Sequence, residues 1–138
     1  KYAKTAINEC PELRFVIDHL AKPSIARDEF DEWARDLKPI ASARNVWCKL
    51  SGLVTEASWT SWRVEDFIPY VDKALEYFGP QRMMFGSDWP VCSLAASYEQ
   101  VLELFQTLLA DVSEAERELI FSKNALEFYR IEQTALAT

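Results

Sequence analysis

Residues 13–19, LRFVIDH, form a short, β-branched apolar run that turns polar at its end, and this pattern predicts a strand. NVWCKLSG at residues 45–52 repeats the grammar, and RMMFGSDWP at residues 82–90 repeats it again with Ser87 and Asp88 at its exit. Each strand thus ends in groups capable of chemistry. Outward from these runs, the intervening segments carry helical spacing. Phe30, Trp33, Ala34 and Leu37, continued by Ile40 and Ala41, predict a helix that is kinked or broken at Pro39. Val64, Phe67, Ile68, Val71, Leu75 and Phe78 predict another, with Pro69 tolerated in its first turn and Gly79-Pro80 as its stop. Ser97 with Gln100, and Ser113 with Glu116, read as capping boxes that open the helices finishing the chain.

Strand and helix alternate, and strands this apolar suit a parallel sheet covered by helices, so the fold class is α/β. No linker or low-complexity tract interrupts the pattern, and residues 1–138 are expected to form a single domain. Closing such units into an eight-stranded barrel takes at least about 200 residues. About three βα units fit here.

Among 138 residues, 22 Asp plus Glu outweigh 15 Lys plus Arg, for a formal charge of −7. That balance excludes nucleic acid and an anionic membrane surface as partners, because both need clustered cations. A hydrophobic content of 49% with only three glycines excludes a disordered or collagen-like chain. No apolar run approaches the roughly 18 residues of a membrane span, and the opening KYAKTAINEC has no signal-peptide core, so a cytoplasmic location is the expectation. Cys10, Cys48 and Cys92 are odd in number and lack CxxC spacing, which predicts free thiols.

In parallel α/β folds, functional groups collect at the C-terminal ends of strands. Those ends offer Asp18 and His19, Lys49 and Ser51, and Ser87, Asp88 and Trp89. Side-chain alternation groups His19 with Phe15 and Ile17, Lys49 with Trp47 and Ser51, and Asp88 with Met84 and Gly86. His19 is the single imidazole, so any Ser-His-Asp triad must use it, and no G-x-S-x-G elbow is present. Each candidate also has a plain structural role: His19 as a hydrogen-bonded packing residue, Asp88 as a cap for the turn before Trp89-Pro90, Lys49 as an ion-pair partner. Of the five tryptophans, Trp33 belongs to a helical stripe, whereas Trp59, Trp62 and Trp89 fall in loops. Cover for those three must come from a ligand, another loop or a part of the molecule beyond the chain.

Taken together, FVIDHLAKP, NVWCKLSGLVTEA, FGPQRMMFGSDWPV and KNALEFYRI resemble, in order and spacing, the closing half of metal-dependent hydrolases of the amidohydrolase superfamily. The lactonase branch, whose members act on pyrone and sugar lactones, is the most similar, and the resemblance runs over nearly the whole chain. It implies the C-terminal part, about three βα units, of a distorted TIM (β/α)8 barrel, with His19 from the sixth strand and Asp88 from the eighth. It also implies an H-x-H pair on a first strand in an N-terminal half that this chain lacks, with Lys1 to about Glu9 as the tail of a preceding helix.

The chemistry so implied is hydrolysis of a lactone or related cyclic ester by activated water, with Asp88 and His19 as catalytic residues and Lys49, Ser51 and Trp89 toward the substrate. His19 and Asp88 would be ligands of one divalent ion, zinc or manganese, although some lactonases of this branch work without metal. The expected partners are a small-molecule substrate and the absent half of the barrel; a homo-oligomer stays open. Two other readings accompany this one: a metal-dependent decarboxylase of the same superfamily, and a non-catalytic piece inactive in isolation.

Overall fold

The structure, a computed structural model, describes residues 2–132; Lys1 and the last six residues lie outside that range. Helix α1 (Tyr2–Glu9) leads into strand β1 (Phe15–Ile17), followed by α2 (Phe30–Ala41), β2 (Val46–Leu50), α3 (Ile68–Phe78) and β3 (Met83–Phe85). Helices α4 (Tyr98–Leu108), α5 (Glu114–Glu118) and α6 (Asn124–Tyr129) close the chain, the last two joined by a π-helical turn over Leu119–Lys123. The sheet is parallel in the order β1-β2-β3, as the alternation predicts. Among the described residues no helix is long and apolar enough to cross a membrane. Cys10, Cys48 and Cys92 are free thiols, and burial pushes the Cys48 thiol up to about 12.

Local chemistry accounts for the helices. In α2, Trp33, Ala34, Leu37 and Ala41 are buried along one stripe, while Asp31 and Glu32 occupy the first turn, where the helix dipole favours carboxylates. Of the two outcomes expected at Pro39, a kink or a break, the break does not occur. The helix runs through it to Ala41, because a proline this near the end forfeits only the hydrogen bond to Arg35. Pro69 sits in the first turn of α3, and Gly79 ends that helix at φ +67°, a conformation that favours glycine. Both capping boxes form: the Ser97 Oγ accepts from the Gln100 N–H and the Ser113 Oγ from the Glu116 N–H.

The strands are shorter than their sequence pattern, three, five and three residues. Register places Phe15, Ile17, Val46, Cys48, Leu50, Met83 and Phe85 on one face of the sheet. This face meets the helices, and Phe85 packs edge-on against Phe105 of α4. Val16, Trp47, Lys49 and Met84 take the opposite face. Helix α6 returns across this second face. Phe128 packs on Trp47 at 5.3 Å between ring centroids, the Arg14 guanidinium stacks over Phe128, and Met84 is fully covered.

At the opposite end from the strand exits, one side chain ties the layers together. The Arg82 guanidinium donates to Ala41 O, Ala43 O and Val46 O through Nη1, to Phe78 O through Nε and to Tyr77 O through Nη2, all at 2.9–3.1 Å. Those carbonyls belong to the ends of α2 and α3, the connection after α2 and the start of β2. Helix C-termini leave carbonyls without intrahelical donors and carry partial negative charge, so a cation satisfies them twice over. Burial holds the Arg82 pKa below its ordinary value. Beside it, the Asn124 amide donates to Pro80 O and Met83 O, both at 2.7 Å, fastening α6 to the root of β3.

Arg82→Met is expected to cost about 3 kcal/mol or more, because several part-buried carbonyls lose a charged donor at once. Arg82→Lys should lose about half as much, since three ammonium protons cannot span five acceptors. Urea unfolding of the three proteins checks this, and a loss under about 0.5 kcal/mol for the Met variant would contradict it.

Candidate active site

β1 ends at Ile17, and the chain then enters a tight left-handed turn. His19 (φ +53°), Leu20 (+47°), Ala21 (+60°) and Lys22 (+55°) all lie at positive φ although none is glycine. Left-handed backbone costs an ordinary residue roughly 1–2 kcal/mol. Tertiary contacts offset that cost here. Leu20 is completely buried, its carbonyl accepts from Trp33 Nε1 at 2.6 Å, and the Lys22 N–H closes the turn on His19 O at 2.7 Å.

The turn also redirects the imidazole. Strict alternation groups His19 with Phe15 and Ile17, the helix-covered face. In the structure, His19 Nδ1 instead lies 2.8 Å from Ser51 Oγ, and Nε2 lies 3.7 Å from Asp88 Oδ1. The correction has a plain cause: alternation holds only while the backbone stays extended, and the chain leaves that region one residue before His19. Asp88 is reached in the same way, at φ +60° beyond the end of β3, where its carbonyl accepts from the Cys92 N–H. Backbone strain therefore gathers on both sides of one small site.

Two of the three glycines border it. Gly52 stands at φ +66°, and a Cβ there would lie 2.8 Å from His19 Cβ, Cγ and Nδ1. Gly86 faces Ser51, where a Cβ would come within 3.3 Å of the serine Cβ. The imidazole and the serine thus lie where only backbone can pass. The sequence reading did not single out Gly52; its signal was position, directly after the polar exit of a strand.

The structure brings together His19, Ser51 and Asp88, and it does not bring Lys49 or Trp89 into hydrogen bonding with them. Lys49 Nζ pairs with Asp18 Oδ1 at 2.8 Å and lies 5.8 Å from the Tyr129 ring centroid. The Asp18 carboxylate, first among several causes, raises its pKa. Trp89 is 69% exposed, and its backbone N–H donates to Ser87 Oγ. Of the other loop tryptophans, Trp59 is half exposed with its indole N–H on Thr55 O. Trp62 follows one of the expected alternatives. It packs on Phe67 and donates to Ala95 O, so a neighbouring loop covers it.

Ser51 Oγ can donate to His19 Nδ1 or accept from it. In the tautomer whose Nδ1–H donates to Ser51 Oγ, the Nε2 lone pair is on the Asp88 side, where a cation or the hydrogen of a water would bridge it to the carboxylate. The separation of 3.7 Å exceeds a hydrogen bond. Two donors bound to one zinc at about 2.1 Å and near-tetrahedral angle stand roughly 3.4 Å apart, so the pair fits two positions of a coordination sphere. Among the described residues no group of three or more His, Cys, Asp or Glu side chains surrounds a common point, so the pair is two ligands and no more.

A family model described as amidohydrolase matches residues 2–131. The chain is 41% identical over 130 residues to an L-fucono-1,5-lactonase of Burkholderia multivorans, covering 87% of this chain and 44% of that protein. It is 39% identical over 135 residues to an L-fucono-1,5-lactonase of Burkholderia ambifaria, covering 89% and 43%. Among solved structures, an amidohydrolase from Burkholderia multivorans with bound zinc matches at a TM-score of 0.91 and 37% identity, over 94% of this chain and 48% of that one. The chain spans under half the length of these relatives.

Gly52→Ala is expected to destabilise the protein by about 1–3 kcal/mol, through the positive φ and the contact with the imidazole. It should also separate His19 from Ser51. Nitrogen-15 chemical shifts of the His19 ring report this directly: Nδ1 and Nε2 shifts that match the parent protein would show that the glycine does not hold the imidazole.

Proposed function

Because the chain belongs to the amidohydrolase family, we propose that the protein hydrolyses a lactone or related cyclic ester and that His19, Ser51 and Asp88 are this chain's share of its active site. The fold is the C-terminal part of that family's barrel. We read residues 1–138 as one partial domain of it, which works with the strands of an N-terminal half. The observation that carries the reading is the meeting of a part-exposed imidazole and a largely buried carboxylate at the strand exits, 3.7 Å apart. The L-fucono-1,5-lactonases point to a sugar lactone as the substrate class.

In this mechanism Asp88 accepts a proton from water as the water oxygen bonds to the lactone carbonyl carbon. The resulting tetrahedral centre collapses by breaking its bond to the ring oxygen. Asp88 returns the proton to that departing oxygen, leaving a hydroxy acid, so one carboxylate serves as base and then as acid. His19, held by Ser51, keeps its Nε2 beside Asp88 and orients the water. Lys49 and Trp89 lie at the same strand exits, where an anionic or hydroxylated substrate would meet an ammonium and an indole face. His19 Nε2 and Asp88 would hold a divalent ion, zinc or manganese, which supplies carbonyl polarisation and a lower water pKa. The remaining ligands would come from the H-x-H pair that the family resemblance puts on a first strand.

Base-consumption assays with a panel of aldonolactones test the reading. The full-length protein, with the N-terminal half of the barrel, should release acid from a sugar lactone, and Asp88→Asn in it should lower kcat by at least about 10²-fold with little change in melting temperature. If Asp88 only caps its turn, the variant instead loses about 0.5–2 kcal/mol of stability and keeps its turnover. Carbon dioxide release from aromatic carboxylates with no lactone opening would replace the hydrolase by a decarboxylase. Dialysis against a chelator, followed by zinc or manganese, should remove and restore activity; full activity in the metal-free protein would leave water activation to Asp88 and His19 alone.

A further inference from the structure

A cavity of about 560 Å³ opens between the loop after β1 and the loop entering α3. None of His19, Ser51 or Asp88 lines it. Ile25, Phe30 and Pro69 make apolar walls, and the carboxylates of Asp28 and Glu65 line it with neither a hydrogen bond nor an ion pair among the described residues. Asp66 is already used, capping the Arg63 N–H at 2.8 Å. Among the described residues, no lysine, arginine or histidine borders the space.

A second and independent observation comes from Tyr70. The residue is only 3% exposed, its ring packed edge-on against Phe30 at 5.3 Å and beside Trp33 at 5.2 Å. Its hydroxyl nonetheless has no hydrogen-bond partner among the described residues, and no buried side-chain oxygen there is sealed without one. The hydroxyl therefore touches accessible space, and Tyr70 is among the residues that line the cavity. Burial, with the nearby Asp28 and Glu29 charges, raises the phenol pKa and keeps the hydroxyl neutral.

We propose that this cavity is a second binding site, separate from the catalytic one, for a small organic cation with an apolar body. The unpaired carboxylates of Asp28 and Glu65 and the unpartnered Tyr70 hydroxyl favour an ammonium or guanidinium, whose N–H groups donate to oxygen acceptors of this kind. The apolar walls select the carbon body, and the volume falls in the range of ligand pockets. A purely neutral ligand would leave the carboxylates unmatched, and an anion would be repelled.

Calorimetric titration of the protein with benzylammonium, against its neutral isostere benzyl alcohol, tests the site. Benzylammonium should bind with a Kd between about 10 μM and 1 mM, and benzyl alcohol at least about tenfold more weakly. The double variant Asp28→Asn, Glu65→Gln should weaken benzylammonium at least about tenfold; both positions are exposed, and asparagine tolerates the positive φ of Asp28. Tyr70→Phe, which keeps the ring, should weaken it about two- to tenfold. No heat at about 10 mM benzylammonium, equal affinity for the two probes, or undiminished binding by the double variant would each overturn the proposal. Should Tyr70→Phe lower the melting temperature, the surface double variant decides alone. Lactone hydrolysis does not enter the readout, so the outcome is independent of the catalytic reading.

Discussion

One guanidinium holds the end of the molecule remote from the chemistry. Arg82 stands at the root of β3 and collects five carbonyl oxygens from the ends of two helices, the connection after the first of them and the start of the neighbouring strand. Each return of the chain in a βα unit leaves such carbonyls facing the sheet's lower edge, where water is partly excluded. A single planar cation with five directed protons meets them together, a task no other side chain performs. The Asn124 amide completes the closure by tying α6 to the carbonyls on either side of Arg82.

With the lower edge held, the upper edge can carry strain. Four successive non-glycine residues at positive φ after β1, and Asp88 at positive φ after β3, are conformations that short loops seldom retain unless their surroundings enforce them. The enforcement is visible in the burial of Leu20, in the Trp33 indole on its carbonyl, and in Gly52, whose missing side chain leaves room for the imidazole. The same division, stability at the strand beginnings and reactive groups at the strand ends, characterises parallel α/β barrels generally.

Lys49 illustrates how a residue at the right strand end can still be set apart. Its ammonium is engaged by Asp18, the residue immediately before His19, and lies over Tyr129 on the inner face of the sheet. The charge is thus compensated while its neighbours His19 and Ser51 contact each other. An ion pair with one partner more than half exposed contributes little to stability and is readily exchanged for another anion.

The elements were legible in the sequence because their signals are local. Strands betray themselves by β-branched runs, helices by stripes such as Trp33-Ala34-Leu37, and helix starts by Ser97-Gln100 and Ser113-Glu116, whose bonds span only three residues. The strand-end positions of His19, Ser51 and Asp88 were legible for the same reason. Side-chain direction was not. Alternation turns His19 toward the helices, whereas the left-handed turn presents it to Ser51 and Asp88. Four successive non-glycine residues do not adopt that conformation on their own; the burial of Leu20, the distant Trp33 indole and the bare backbone of Gly52 stabilise it. Arg82 likewise looks like any charged residue at a strand start until carbonyls 36 to 41 positions away are brought to it, and Trp62 looks exposed until Ala95 covers its indole. Sequence by itself determined which backbone segments are regular and which polar groups stand at their ends. Tertiary structure alone decided which of those groups meet, because the sign of φ beyond a strand and the partner of a long side chain depend on contacts between remote parts of the chain.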